Sequence, residues 1–177
     1  MGTRTGAGSV GGNQGRRVWL AAAVRIGAAA VVVAALVAFP GSPGPSAQTS
    51  VRLAVIANPA VPVKTQSASE LAGIFSRATR TWKDGSAIRP LNLQPGSSER
   101  IAFDRAVLHL DPDQSAQFWV DRLVRGEEPA PKAITKADIV LRLVASLAGG
   151  IGYIPEDKVD DKVRVLAFIR DGKVVTP

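Results

Sequence analysis

Ile88-Arg89-Pro90-Leu91-Asn92-Leu93, then Pro95-Gly96-Ser97-Ser98-Glu99-Arg100: this stretch of the 177-residue chain passes from an extended run, through a turn, into a helix start. Pro90 makes the strand a short or edge one, because proline donates nothing to a ladder. Gly96 permits a tight turn, and the serines suit a helix N-terminus. The helix is predicted from about Ser98 to His109, with Ala102 over Ala106 and Phe103 over Val107. A strand feeding a helix through a glycine turn is the unit of a layered α/β fold.

The same alternation extends in both directions. Val51 to Ile56 alternates and then runs apolar, as a largely buried strand does, and Asn58-Pro59 stops it. Ser67-Ala68-Ser69-Glu70 fits a capping box, followed by Leu71, Ile74 and Phe75 on one helical face. Lys83-Asp84-Gly85 is a turn. On the C-terminal side, Asp111-Pro112-Asp113 supplies an N-cap and a first-turn proline. Ala116, Trp119, Val120, Leu123 and Val124 then form a stripe expected to face the core, and Gly126 ends the helix. Glu127 to Lys132 is a proline-bearing loop. Thr135 is the expected cap of a fourth helix with Ile139, Val140, Leu143, Val144 and Leu147 inward. Gly149-Gly150 closes that helix, Ile151 to Ile154 is a strand, and Val163 to Ile169 is another. Asp171-Gly172 before Val174-Val175 predicts a terminal hairpin. The fold class is therefore α/β, with a mixed sheet flanked by helices.

Charge divides the chain unevenly. Residues 1–47 hold Arg4, Arg16, Arg17 and Arg25 and no acid, so they carry +4 of the net +7. The remainder is an ordinary mixed surface, without the basic run or aromatic platform that nucleic acid requires. Ile26 to Phe39 is an uncharged apolar run of 14 residues, preceded by Arg16, Arg17 and Arg25 and followed by Pro40-Gly41-Ser42-Pro43-Gly44-Pro45-Ser46-Ala47. A positive start, a short apolar centre and a small-residue end describe an export signal. Two alternatives stay open. A run counted from Val18 reaches spanning length with Arg25 inside it, as an uncleaved anchor would. Arg16-Arg17-Val18-Trp19-Leu20 resembles a twin-arginine signal. Residues 1–47 are thus expected to be a signal peptide or anchor with its processing region, and 48–177 one α/β domain. Membrane contact is expected only through that N-terminal segment, if it is uncleaved.

The inventory for chemistry is thin. There is no cysteine, which excludes disulfides, thiolate metal sites and cysteine nucleophiles. His109 is the only histidine, so neither a histidine metal cluster nor a catalytic triad is expected, and it suits a helix C-terminus instead. Asp111 and Asp113 read as helix-capping residues, and Trp82 and Trp119 as packing residues. No catalytic residue, metal or cofactor is expected. The best candidate site is the helix start at Pro95-Gly96-Ser97-Ser98, where free backbone N–H groups and the helix dipole favour an anion.

Taken in order, the Leu71–Phe75 helix, Trp82-Lys83-Asp84-Gly85, the strand to Leu93, the helix start at Ser97 and Gly149-Gly150-Ile151-Gly152-Tyr153 resemble the periplasmic phosphate-binding proteins of ABC transporters. The resemblance covers roughly residues 51–155. It implies one lobe of a periplasmic-binding-protein-like fold, as in the short single-lobe relatives, because two-lobed receptors are too long for this chain. It also implies an oxyanion site in which Gly96, Ser97, Ser98 and Arg100 are the corresponding residues. In that family the helix start reads Arg-x-x-x-Ser-Gly-Thr-Arg. Ser97 and Arg100 keep the pattern, whereas Ser98 stands at the glycine, Glu99 at the threonine and Leu93 at the charge-pairing arginine. Leu93 removes a charge-assisted bond and Glu99 adds a carboxylate that repels phosphate. Arg89 is the remaining cation on that strand. The implied function is capture of phosphate or a related oxyanion outside the cytoplasm by a non-enzymatic, exported protein, with an ABC transporter permease or another envelope protein as partner. The alternative is an envelope interaction module that no longer holds a ligand.

Overall fold

Strands and helices alternate along residues 51–177, the part of the chain that the computed structural model describes. The expected leader and processing region, 1–47, lies outside the described residues, as do the first three residues of the expected domain. The strands are β1 (Leu53–Ala57), β2 (Arg89–Leu93), β3 (Lys132–Ile134), β4 (Gly150–Pro155), β5 (Arg164–Arg170) and β6 (Lys173–Val175). The helices are α1 (Ala68–Phe75), α2 (Ser98–Phe103), α3 (Pro112–Val124) and α4 (Ala137–Ser146). They build one mixed sheet in the order β3-β2-β4-β1-β5-β6. β2 pairs in parallel with β3 and β4, while β1 lies antiparallel between β4 and β5. The terminal hairpin of β5 and β6 turns through Asp171 and Gly172, both at positive φ as its tight turn requires.

The two faces of β4 explain where the helices sit. Side chains alternate across a strand, so Tyr153 and Gly152 point opposite ways. On one side Tyr153 stacks on Phe103 of α2, with ring centroids 3.9 Å apart, and Phe75 of α1 closes edge-on against Phe103 at 4.5 Å. On the other side α4 presses directly on the strand. A Cβ placed on Gly152 would lie 2.7 Å from Val140 Cγ1, so the absence of a side chain there sets the helix–sheet distance. β1 is buried along its whole length, as its apolar run requires in a strand covered on both faces.

The capping signals at α1 and α3 are met. Ser67 and Glu70 form the capping box at α1, and Asp111 with Pro112 starts α3, where Gln114 completes a second box. Several expectations are corrected. β2 is short, but it lies inside the sheet. Pro90 pairs with Ile151 of β4, and β3 begins its pairing only at Leu91, so no β3 residue faces the missing N–H. The loop from Glu127 ends in β3, a three-residue strand too brief to leave an alternation. Thr135 does not cap α4, whose N-cap is Lys136 without a side-chain bond. The second helix changes pitch after Phe103, and Asp104–Leu108 forms a π-helical turn that stops at His109 in the left-handed region.

The largest correction concerns α3. Its apolar stripe faces outward: Val120, Leu123 and Val124 are 53%, 67% and 81% exposed. The helix leans on the lobe through Ser115 and, partly covered, Phe118, Trp119 and Arg122. The loop that follows is tied back by Glu128, which pairs with Arg77 and Arg80.

Candidate functional site

The loop after β2 has the predicted geometry. Gly96 takes φ +84, and the Ser97 N–H reaches Gln94 O at 3.2 Å, which closes a type II turn over Pro95 and Gly96. Ser97 is the N-cap of α2, its Oγ accepting the Arg100 N–H at 3.2 Å. That is the bond a capping serine makes, and it leaves the hydroxyl proton free. Ser98 directs its hydroxyl to the Glu99 carboxylate at 3.0 Å.

Arg100 turns inward. It is 6% exposed, its Nε donates to Asp104 Oδ2 at 2.7 Å, and a terminal nitrogen reaches the Leu93 carbonyl at 3.4 Å. Ser115 of α3 adds a second donor to the same Asp104 oxygen at 2.8 Å. Beside this pair, the Leu93 N–H donates to the Tyr153 hydroxyl at 3.2 Å. Burial pushes the Tyr153 phenol well above its ordinary value, against the pull of the Arg100 charge, so it stays a neutral hydroxyl. The Leu93 side chain, at the family's arginine position, is 4% exposed and belongs to the core.

The four candidate residues therefore divide. Gly96 and Arg100 line a cavity of about 260 Å³ with Asp104, Ser115 and Trp119. Ser98 lines a different hollow, beside Arg52, Glu99, Glu156 and Asp157. Ser97 lines neither. The hollow at Ser98 holds three carboxylates, and its Glu156 is held below the usual range by hydrogen bonding to Arg170, with Arg52 also contributing. Arg89 offers no substitute cation, because it lies at the opposite end of β2, near Ala60, Asp84 and Gly149. His109 is exposed at the end of the π turn. Trp82 is buried and donates its indole N–H to Gly149 O at 3.3 Å. Among the described residues no group of histidine, cysteine or carboxylate side chains could hold a metal. Also among them, no helix is long and apolar enough to cross a membrane.

Asp104 and Ser115 do not stand out in the sequence as buried polar residues. The signal for Asp104 is its spacing, four residues after Arg100 on a helix, where opposite charges meet. Ser115 has no such signal, because its partner lies on another helix.

An alanine at Ser97 is expected to cost about 1 kcal/mol through loss of the cap. Urea denaturation with and without phosphate checks this. An equal cost in both would leave Ser97 a cap only, whereas a larger cost in phosphate would make it a ligand.

No protein-family model matches the chain, and no curated protein does. Solved structures do. A Clostridium perfringens protein assigned as a phosphate ABC transporter substrate-binding protein, with bound phosphate, superposes at TM-score 0.53 and 22% identity, over 64% of this chain and 43% of that one. An ABC-type phosphate transport receptor from Vibrio cholerae gives 0.52 and 19%, over 64% and 44%. PstS from Borrelia burgdorferi gives 0.52 and 17%, over 66% and 47%. The chain spans less than half the length of these proteins. Its six-stranded sheet and flanking helices have the fold of part of a phosphate ABC transporter substrate-binding protein.

Proposed function

We propose that this chain is an exported, non-enzymatic lobe of the phosphate-receptor type whose oxyanion site is degenerate, and that it acts by binding another envelope protein. The single observation behind this reading is the outward apolar face of α3, with Val120, Leu123 and Val124 uncovered. Such a stripe on an otherwise mixed surface suits a protein contact. An ABC transporter permease is one partner of this kind. The helix start supports the same view. Arg100 is spent on Asp104, Ser98 on Glu99, and the cation expected at Leu93 is absent.

Phosphate capture at Gly96, Ser97, Ser98 and Arg100 is the second reading. The capped start of α2 favours it, since Ser97 keeps a free hydroxyl proton there. Calorimetry separates the two. The expected dissociation constant for phosphate is no tighter than about 1 mM, roughly −4 kcal/mol, because Leu93 leaves the anion without a charge-pairing partner and Glu99 places a carboxylate beside it. Micromolar binding would restore the receptor reading. For the contact itself, a photo-cross-linking residue at Leu123 is expected to give a defined adduct in the envelope, and one at exposed Arg105 none. Absence of any adduct from Leu123 would remove α3 as the contact face.

A further inference from the structure

Four residues of α3 recur at the spacing of one helical face: Ala116, Val120, Leu123 and Val124. All four are exposed, and at about 3.6 residues per turn they make a ridge about 100° wide. One edge of that ridge runs into the cavity of about 260 Å³, because Ala116 lines it together with Pro112, Trp119, Ala130, Pro131 and Ala133. Those walls are apolar, and the charged pair of Arg100 and Asp104 that borders them neutralises itself at 2.7 Å. The lobe thus carries an apolar ridge and an apolar hollow side by side.

Area and charge narrow what covers them. A stable contact buries about 800 Å² from each partner, spread over about 20 residues. The uncovered side chains of α3 fall short of that, so the contact takes in the hollow as well. Its partner then needs a ridge for the hollow and a recess for the ridge. A second copy of this chain has both, and a two-fold contact sets one patch against itself. The charges agree. α3 begins with Asp111 at its N-cap and Asp113 in its first turn. It ends with Arg122 and Arg125, which share the one carboxylate of Glu127. Antiparallel pairing lays the acidic start of one helix beside the basic end of the other and opposes their dipoles, whereas parallel pairing sets like on like.

We propose that this face of α3 pairs with the same face of a second copy, antiparallel about a two-fold axis passing between Trp119 and Val120. Each Leu123 then lies against the partner's Ala116 at the mouth of the partner's hollow, and Asp113 lies near the partner's Arg125. The inference rests on the reading of α3 as a contact face and names its occupant.

The chain has no cysteine, so single cysteines report the pairing in the full chain. Ala116→Cys mixed with Leu123→Cys is expected to form disulfide dimers on mild oxidation, at least about tenfold more than either variant alone. In Leu123→Cys alone the two Cα atoms stand about 10 Å apart along the helices, beyond the roughly 7 Å that a disulfide spans. Arg105→Cys, exposed on the π-helical turn, is expected to give none. Light scattering is expected to give twice the chain mass for the parent. Leu123→Asp, a change at an exposed position that keeps the fold, is expected to give one chain mass. Equal disulfide yield from the mixture and the single variants would overturn the pairing, as would a Leu123→Asp protein as large as the parent. The photo-adduct at Leu123 separates this inference from the contact reading beneath it. An adduct of twice the chain mass supports the pairing. An adduct of any other mass overturns it and keeps α3 as a contact face for a different protein, and no adduct removes both.

Discussion

Arg100→Ala is expected to destabilise the protein by about 3–5 kcal/mol, because it strands a carboxylate that was buried only in company. Arg100 and Asp104 are both nearly closed to solvent and 2.7 Å apart. Taking two charges from water costs several kcal/mol each, and the pair is tolerated only while each neutralises the other. Removing the guanidinium leaves Asp104 with Ser115 alone, and also removes the bond to the Leu93 carbonyl. Asp104→Ala is expected to cost a similar amount by stranding the cation. Replacing both, as Arg100→Met with Asp104→Leu, is expected to cost less than the sum of the single changes. Equilibrium urea denaturation measures all three. The same variant bears on function. If Arg100→Ala were nearly as stable as the parent yet lost phosphate affinity, Arg100 would be a free anion ligand, and the degenerate-site reading would fall.

Gly149→Ala has the second large expected effect, about 3–5 kcal/mol from backbone strain and overpacking together. Gly149 takes φ +76, and a Cβ there would lie 2.1 Å from the Ala87 carbonyl oxygen. That neighbour is backbone, so it cannot rotate away. The Gly149 carbonyl also receives the Arg89 N–H at 2.9 Å and the Trp82 indole. Any shift that relieves the clash therefore loosens the start of β2 and the Trp82 anchor together. Thermal denaturation followed by tryptophan fluorescence should show both a lowered midpoint and a changed Trp82 signal. A loss below about 1 kcal/mol would mean that Ala87 can retreat without cost.

Local chemistry made much of this fold legible in the sequence. The capping box of Ser67 and Glu70 needs only residues three apart, and β4 combines an apolar run with glycines that admit α4. What was not legible depends on what lies opposite. Periodicity shows that Val120, Leu123 and Val124 share a face, but not that nothing covers it. β3 is three residues long and draws its strand character from pairing with β2 rather than from its own sequence. At the candidate site, the cap at Ser97 is local and was legible. The inward turn of Arg100 was not legible, because Asp104 stands at a spacing that exposed helical ion pairs share and Ser115 comes from another helix.

The place of β1 in the sheet has a temporal consequence. It is the first strand described, yet it pairs only with β4 and β5, whose partners for Leu53 are Pro155 and Ile169. A chain delivered N-terminus first thus has no neighbour for its most buried strand until nearly all of it has arrived. Contacts so distant along the chain pay loop-closure entropy before they are rewarded, which slows folding. Until β4 and β5 have arrived, Leu53–Ala57 remains an open, fully apolar ribbon. The same topology that makes the finished sheet cooperative thus delays its closure.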